Sequence, residues 1–149
     1  MKRLHIHISV DDLAASERFY STIFGQAPSR REPDYLKWEV EDPRVNFAIS
    51  RRGNHEPGIN HLGIQTDTDA ELSDLHRRLA SAGQATVDEA DTTCCYARSR
   101  KHWATDPQGV AWEMFRTMET SLTYGAGPAR PAGTDTGRDA PVTPAKGCC

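Results

Sequence analysis

The sequence predicts an α+β fold in which two βαβββ modules form one half-open barrel, and three features support this prediction. The chain has 149 residues, enough for one domain that buries a sizeable core. Strand-like and helix-like segments follow one another in the same order twice. Matching residues recur as well, since His5 lines up with His61. We expect the modules at residues 3–53 and 59–117, within a domain that spans residues 1–120.

The first module opens with a strand and a helix. The segment LHIHISV alternates as a half-buried strand does, so its histidines face away from its apolar side chains. One face carries His5, His7 and Ser9, and the other carries Leu4, Ile6 and Ile8. The next segment, DDLAASERFYSTIFG, has a mostly apolar stripe at helical spacing. Asp11 or Asp12 is suited to cap this helix, and Gly25 is suited to end it.

Three short strands complete the first module, and the second module repeats its order. The strand-like segments are QAPSRRE, YLKWEVE and VNFAISR, and the turn-rich GNHEPG follows them. The next strand, residues 60–67, has one face that carries His61, Gly63 and Gln65. A helix over residues 69–83 ends at Gly83, which lines up with Gly25. Further strands are expected around residues 84–91, 99–105 and 110–116.

Composition and charge narrow the class of protein. The formal net charge of −3 gives no field that would recruit nucleic acid or an anionic membrane. No apolar run is long enough to span a bilayer. The N-terminal MKRLHIHISV is typical of a first strand and not of a signal peptide, so a cytoplasmic location is expected. Residues 121–149 are rich in Gly, Pro, Ala and Thr and are expected to form a flexible tail.

Two histidines and one glutamate are candidates for a metal site. DPRVNFAISR lines up with DPQGVAWEMFR if one residue is inserted, which places Ala48 opposite Glu113. If the strands curl into one barrel with the helices outside, His5, His61 and Glu113 converge on its concave side. Two histidines and a carboxylate are the facial triad of non-haem Fe(II) oxygenases. The alternative for each residue is an ordinary hydrogen-bonded role, and His7 is expected to support the ligands from the same face.

Two adjacent cysteines, Cys94 and Cys95, stand in the segment TTCCYARSRKHW. Neighbouring cysteines are poor disulfide partners for each other, and thiols stay reduced in the cytoplasm. Metal binding or chemistry therefore explains them better than a structural bridge, with inert loop thiols as the alternative. The candidates to line the same pocket are Tyr96, Lys101, His102 and Trp103. Core packing would explain Trp103 equally well, and solvent exposure would explain Lys101. The histidines expected to be exposed are His55 and His76.

Residues 3–117 resemble the vicinal oxygen chelate superfamily of glyoxalases and extradiol dioxygenases, in which metal ligands lie on the strands that begin and end such modules. That superfamily often has a fourth ligand at the end of the first module, and here this place is Ala48. The departure argues against a Ni or Zn site of the glyoxalase I type. Within the superfamily, VDDLAASERFYSTIFG, NHLGIQ, TTCCYA and DPQGVAWEMF resemble the C–As lyases and the related cadmium-inducible proteins.

The resemblance implies a function and roles for the candidate residues. C–As lyases are Fe(II)-dependent dioxygenases that demethylate trivalent organoarsenicals such as methylarsenite, with O₂ as co-substrate and arsenite as product. By resemblance, the Fe(II) ligands are His5, His61 and Glu113, and the arsenic-binding pair is Cys94 and Cys95. Trivalent arsenic is soft and selects thiolate ligands, which agrees with that pair. Cys148 and Cys149 have two interpretations: they belong to a mobile tail without a role, or they capture arsenicals. The first interpretation is favoured.

Two other functions fit parts of the same pattern. A protein that sequesters Cd(II) or arsenite would need the thiols of Cys94 and Cys95 but no iron. A resistance protein or extradiol-type dioxygenase would need the triad but not the thiols. Modules of this superfamily pair within one chain or across two, so a monomer and a dimer are both compatible with the sequence.

Overall fold

Eight strands and two helices make up the computed structural model of the protein, which describes residues 1–51, 56–94 and 97–120. The strands are β1 (Arg3–Ser9), β2 (Arg30–Glu32), β3 (Tyr35–Glu41), β4 (Arg44–Ser50), β5 (Gly58–Thr66), β6 (Val87–Cys94), β7 (Ala97–Thr105) and β8 (Ala111–Thr120). The helices are α1 (Leu13–Phe24) and α2 (Asp69–Ser81). All strands belong to one sheet in the order β2-β3-β4-β1-β5-β8-β7-β6. The α+β prediction with two βαβββ modules is confirmed.

The two modules meet at the centre of the sheet and have equivalent registers. Strands β1 and β5 are antiparallel and join the halves, and each is parallel to the last strand of its own module. His7 pairs with Ala48 in the first module, and Gly63 pairs with Glu113 in the second. This is the correspondence expected if His5 matches His61 and Ala48 matches Glu113, so the internal repeat extends to single residues.

Both helices begin at side chains that satisfy their free backbone amides. Asp12 caps α1 by accepting from the amide of Ala15 at 2.9 Å, and Gly25 ends the helix at a φ of 65° that favours glycine. Helix α2 starts with a capping box, in which Thr68 accepts from the amide of Glu71 and Glu71 accepts from that of Thr68. The sequence prediction of α1 and its two ends is thus confirmed.

The apolar core lies between the helices and one face of the sheet. In the first module Trp38 and Phe47 pack against Tyr20 and Phe24 of α1. In the second module Leu72 of α2 packs in a smaller cluster whose other buried members are Ala104 and Met114. Removing a fully buried tryptophan side chain typically costs about 3–5 kcal/mol, so the first cluster dominates the stability of its module.

The opposite face of the sheet is polar and nevertheless buried. Its buried polar side chains include His5, His7, Ser50, His61, Lys101 and Glu113. In the described part of the chain both helices pack on the other face. The sheet must therefore curl to shield these side chains from water, as the half-open barrel requires.

One strand boundary differs from the sequence prediction. The prediction ended β6 at residue 91 and placed the TTCC segment in a loop, whereas β6 continues to Cys94. Its backbone pairs with β7, with Thr92 opposite Ser99 and Cys94 opposite Ala97. The β-branched threonines favour this extended pairing. The predictions for His55, Cys95, Tyr96 and the tail 121–149 lie outside the described residues.

None of the helices in the described ranges is long and apolar enough to cross a membrane.

Candidate metal site and thiol pair

Three side chains named by the sequence analysis meet on the polar face of the sheet. His5 on β1 and Glu113 on β8 lie on either side of Gly63 on β5, because Gly63 pairs with both. His61 lies two residues before Gly63 and therefore projects from the same face. His5, His61 and Glu113 are all buried, with exposed fractions of 5%, 1% and 3%. The repeat thus brings candidate ligands from three adjacent strands to one point.

The ligand atoms of these side chains lie at the spacing that a metal ion requires. The Nε2 atoms of His5 and His61 are 3.1 Å apart. Oε2 of Glu113 lies 3.6 Å from the first and 3.5 Å from the second. Two neighbouring ligands that each lie about 2.1 Å from a metal ion are about 3 Å apart. The three atoms form the corners of a triangle of that size.

The hydrogen bonds behind the two rings fix their tautomers. Nδ1 of His5 lies 2.9 Å from the backbone carbonyl of Asn46, which can only accept, so Nδ1 carries the proton. Nδ1 of His61 lies 2.8 Å from Oδ1 of Asn60, whose Nδ2 donates to Ser9 at 3.1 Å. Both rings therefore donate outward and turn an unprotonated Nε2 toward the centre.

Two nitrogen lone pairs and a carboxylate oxygen thus converge with no proton between them. Burial, followed by the proximity of the His61 imidazole, lowers the pKa of His5 to about 4, so His5 is neutral at pH 7. A cation between the three atoms would relieve the repulsion among their lone pairs. Imidazole nitrogens with one carboxylate oxygen suit divalent transition metals such as iron. The residues present therefore fit a metal ion.

Lys101 controls the third ligand. Its Nζ lies 2.6 Å from Oε1 of Glu113, which leaves Oε2 facing the two histidines. Burial by itself would raise the pKa of the Glu113 carboxyl, but the positive charge of Lys101 holds it well below its usual range. Lys101 is 3% exposed and lines the polar cavity, as expected of a candidate pocket residue, and the alternative of solvent exposure is wrong.

His7 is a third histidine within ligand distance of His5 and His61. Its Nε2 already lies 2.8 Å from Oγ of Ser50. We favour Glu113 as the third ligand because its oxygen lies within 3.6 Å of both Nε2 atoms and brings a negative charge. The supporting role expected of His7 stays a prediction.

Two cavities lie on opposite faces of the sheet. The polar one, of about 40 Å³, is lined by His5, Lys101 and Glu113 among others and has room for two or three water-sized groups. The larger one, of about 510 Å³, lies beside α2 and is lined by apolar residues such as Leu79 and Trp112. The polar cavity is the candidate site, because the convergent ligand atoms lie there.

Trp103 and His102, which were also predicted to line the pocket, lie on opposite faces of the sheet. Trp103 pairs with Glu113 and places its buried ring 5.2 Å from that of His61, so it packs against the site. His102, the next residue back along the strand, projects to the helix side and is not part of the site. The two residues differ because successive side chains of a strand point to opposite faces of the sheet.

The structure does not place the backbone of Cys94 beside the metal ligands. Cys94 pairs with Ala97 at the end of the β6–β7 hairpin. Ala97 lies six residues along β7 from Trp103, the partner of Glu113, which is about 20 Å of strand. Cys95 lies outside the described residues.

Several residues act in the site in ways that the sequence did not predict. Asn46 and Asn60 orient the two histidine rings, Lys101 orients Glu113, and Gly63 leaves the row between the ligands free of a side chain. For Gly63 a signal was present, because glycine inside a strand marks a close backbone approach. Lys101 and Trp103 are two residues apart on β7 and therefore project from the same face of the sheet. This spacing was the signal that Lys101 points toward the polar face.

Comparison with known proteins agrees with this architecture. The family model of the Glyoxalase/Bleomycin resistance protein/Dioxygenase superfamily matches residues 2–114. Homoprotocatechuate 2,3-dioxygenase from Arthrobacter globiformis is a structural neighbour with a TM-score of 0.57 and 18% identity, over 78% of this chain and 35% of that one. At this identity the likeness concerns the fold alone.

Two relatives share more of the sequence. A trivalent organoarsenical cleaving enzyme from Bacillus sp. (strain MD1) is 40% identical over 125 residues, which cover 80% of this chain and 76% of that protein. The cadmium-induced protein CadI of Mycobacterium tuberculosis is 34% identical over 128 residues, which cover 86% of this chain and 84% of that protein.

Replacing Gly63 by alanine should damage the metal site. A Cβ atom at Gly63 would lie 2.2 Å from the carbonyl oxygen of Glu113, so β5 and β8 must separate and move the ligands apart. We expect metal affinity to fall at least about tenfold and stability to fall by about 1–3 kcal/mol. Competition with a chromophoric chelator and urea unfolding measure the two effects. In the control Gly109→Ala the new Cβ meets nothing within 4 Å, although φ is 86°. That variant should lose stability and keep its metal affinity, and equal affinity losses in both variants would contradict the prediction.

Replacing Lys101 by methionine should destabilise the metal-free protein. The change leaves the buried charge of Glu113 without its partner, which typically costs about 3–5 kcal/mol. A bound divalent cation would compensate that charge, so added metal should raise the melting temperature more in Lys101→Met than in the unmodified protein. The control Lys37→Met removes a more exposed pair with Glu39 and should cost no more than about 1 kcal/mol. Equal losses in the two variants would argue against the role of Lys101.

The metal-free protein should lose stability as the pH falls from about 6.5 toward 4. The folded state keeps His5 neutral because its pKa is about 4, whereas the unfolded chain takes up this proton near pH 6.5. Proton uptake therefore favours unfolding. Between pH 7 and pH 5 the titration of His5 lowers the free energy of unfolding by on the order of 2 kcal/mol. Burial lowers the pKa of His7 as well, so it acts in the same direction. Urea unfolding with a chelator present measures this slope, which should become shallower in His5→Gln. A stability independent of pH over this range would refute the burial argument.

Proposed function

Because the chain belongs to the Glyoxalase/Bleomycin resistance protein/Dioxygenase superfamily, we propose that it is an Fe(II)-dependent dioxygenase that cleaves the carbon–arsenic bond of trivalent organoarsenicals such as methylarsenite. The products would be arsenite and an oxidised carbon fragment. The observation that carries the metal chemistry is the convergence of two unprotonated imidazole nitrogens and a carboxylate oxygen. The substrate class rests on the relatives named as organoarsenical cleaving enzymes.

In this proposal His5, His61 and Glu113 hold the iron. When bound, Fe(II) would supply positions for O₂ and the redox chemistry that oxidises the carbon fragment. The backbone carbonyl of Asn46 and the side chain of Asn60 keep each Nε2 unprotonated and aimed at the centre. Lys101 keeps Oε1 of Glu113 occupied, so the carboxylate offers one oxygen to the site. Burial of the whole set limits the access of water.

Cys94 and Cys95 would bind the substrate in this proposal. Methylarsenite carries two hydroxyl groups on arsenic, and two thiols can displace both as water while the methyl group stays attached. Each exchange forms one As–S bond and breaks one As–O bond, with the thiol proton leaving in the water. The soft arsenic prefers these sulfur ligands to the oxygen and nitrogen ligands of the triad. Holding the methyl group near the iron would contribute to rate through proximity.

This role requires the end of the β6–β7 hairpin to approach the polar face. The backbone of Cys94 lies about 20 Å of strand away from the row of Glu113. The register of the β6–β7 pair is irregular between Glu89 and Thr92. The register of the β7–β8 pair is irregular between Arg98 and Ser99. Such irregularities bend strands, and both lie between the triad and the hairpin end. They support a closing movement that carries bound arsenic toward the metal.

A sequestration protein is the second candidate function. It is favoured by the match to a cadmium-induced protein over 86% of the chain. Thiols suit both Cd(II) and trivalent arsenic, so Cys94 and Cys95 would suffice for binding without turnover. In that case the triad would have no part in the protein's action on arsenicals.

Arsenite release separates the two functions. We expect the reduced, Fe(II)-loaded protein to release arsenite from methylarsenite once O₂ is admitted. Glu113→Ala, which removes an iron ligand, and Cys95→Ser, which removes an arsenic ligand, should each lower this rate at least about a hundredfold. The control Cys149→Ser removes a thiol outside the proposed site and should retain the rate. Iron content and arsenic binding are measured on the same samples.

Two outcomes would contradict the proposal in different ways. Tight arsenical binding without arsenite release, in a sample that contains iron, would leave a thiol-based sequestration protein. Full turnover in Cys95→Ser and Cys94→Ser would leave a dioxygenase that does not use the thiols.

A further inference from the structure

A second group of metal-ligand side chains lies on the helix side of the sheet, away from the candidate site. It consists of His76 on α2, Asp88 on β6 and His102 on β7. Nδ1 of His102 lies 2.7 Å from Oδ1 of Asp88, and Nε2 of His76 lies 3.5 Å from the same oxygen. One nitrogen from each ring and one carboxylate oxygen lie within 4.8 Å of one another.

The surroundings leave this carboxylate available for a cation. In the described part of the chain the neighbouring basic residues of α2, Arg77 and Arg78, both pair with Asp74. The two imidazole rings stack with centroids 4.3 Å apart and planes 8° apart. The group thus combines one negative charge with two ring nitrogens, and Oγ1 of Thr86 lies 3.1 Å from Nε2 of His76.

We propose that His76, Asp88 and His102 form a second binding site, for a divalent transition-metal cation of the Zn²⁺ type. Imidazole nitrogens select such ions over Mg²⁺ and Ca²⁺. Ligands of a tetrahedral zinc ion lie about 3.4 Å apart, so the three atoms need shifts of about 1 Å. The lone pairs of parallel rings cannot meet at one point, so His76 must turn out of the stack. Its side chain is 35% exposed and that of Asp88 60%, which permits the movement.

A cation here would connect α2 to the hairpin that carries Cys94. Helix α2 packs chiefly on β8 and β5, whereas β6 is an edge strand paired with β7 alone. The proposed ligands include one residue from α2 and one from each hairpin strand. Metal binding should therefore hold the base of β6 against the helix, while the hairpin end that carries Cys94 lies beyond the register irregularity at Glu89–Thr92.

Zinc titration of the full-length chain tests this site. The thiols of Cys94, Cys95, Cys148 and Cys149 are first replaced by serine, because thiolates bind Zn²⁺ tightly. Calorimetric titration with Zn²⁺ should then give two sites. The variant His102→Ala should lose one of them or weaken it at least tenfold. His76→Gln should do the same, and the partly exposed position of His76 on α2 is compatible with glutamine. Glu113→Ala should retain the site that these two variants lose.

A local measurement shows where the metal binds. In the cysteine-free parent Zn²⁺ should slow amide hydrogen exchange in residues 87–89 of β6, and this protection should disappear in His76→Gln. Zinc stoichiometry and affinity that are unchanged in both His76→Gln and His102→Ala would overturn the proposal. So would protection of β6 that persists in these variants. The result does not depend on arsenical turnover, so it stands or falls separately from the proposed function.

Discussion

The polar face of this protein depends on one constraint, the burial of nitrogen and oxygen lone pairs that have no proton between them. His5, His61 and Glu113 bring three electron-rich atoms within 3.6 Å of one another at positions almost closed to water. Polar groups are buried at a cost unless each atom has a partner. The outward atoms have protein partners in Asn46, Asn60 and Lys101, whereas among the described residues the inward atoms face one another. The surrounding hydrogen bonds thus arrange the inward atoms in a way that suits a cation.

The internal repeat explains how a small sheet produces this convergence, and its asymmetry places Ala48 where the second module has Glu113. Equivalent parallel pairs hold His7 with Ala48 in one module and Gly63 with Glu113 in the other. Each pair combines one large and one small side chain, with the sizes exchanged between strands. Ala48 is fully buried and leaves room for the ring of His7, as Gly63 leaves room beside Glu113. Because each pair holds one large and one small side chain, the two pairs fill similar volumes. The candidate ligands are nevertheless distributed unequally between the two modules.

Much of this arrangement was predictable from the sequence, because strand period and repetition are local properties that a sequence displays. Alternation in LHIHISV separated His5 and His7 from the apolar residues, and the repeat placed His61 and Glu113 on matching strands. Lys101 was a candidate to line the pocket, but its ion pair with Glu113 was not predicted, because lysine usually faces water and Glu113 lies twelve residues away. The end of β6 was missed because its threonines gain their strand conformation by pairing with β7, a tertiary effect that overrides a loop-like composition.

Under the proposed function, the distance between the hairpin end and the triad has a chemical reason. Thiolates are strong ligands for transition metals, so a free cysteine pair held beside His5, His61 and Glu113 would compete for the iron's open positions. Binding of methylarsenite changes this, because both sulfur atoms are then committed to arsenic. A hairpin that lies about 20 Å of strand away when its thiols are free, and approaches when they carry arsenic, separates the two sets of ligands until the substrate has joined them. The strand irregularities on both sides of β7 would then serve substrate delivery, and the triad would meet sulfur only as part of an arsenic complex.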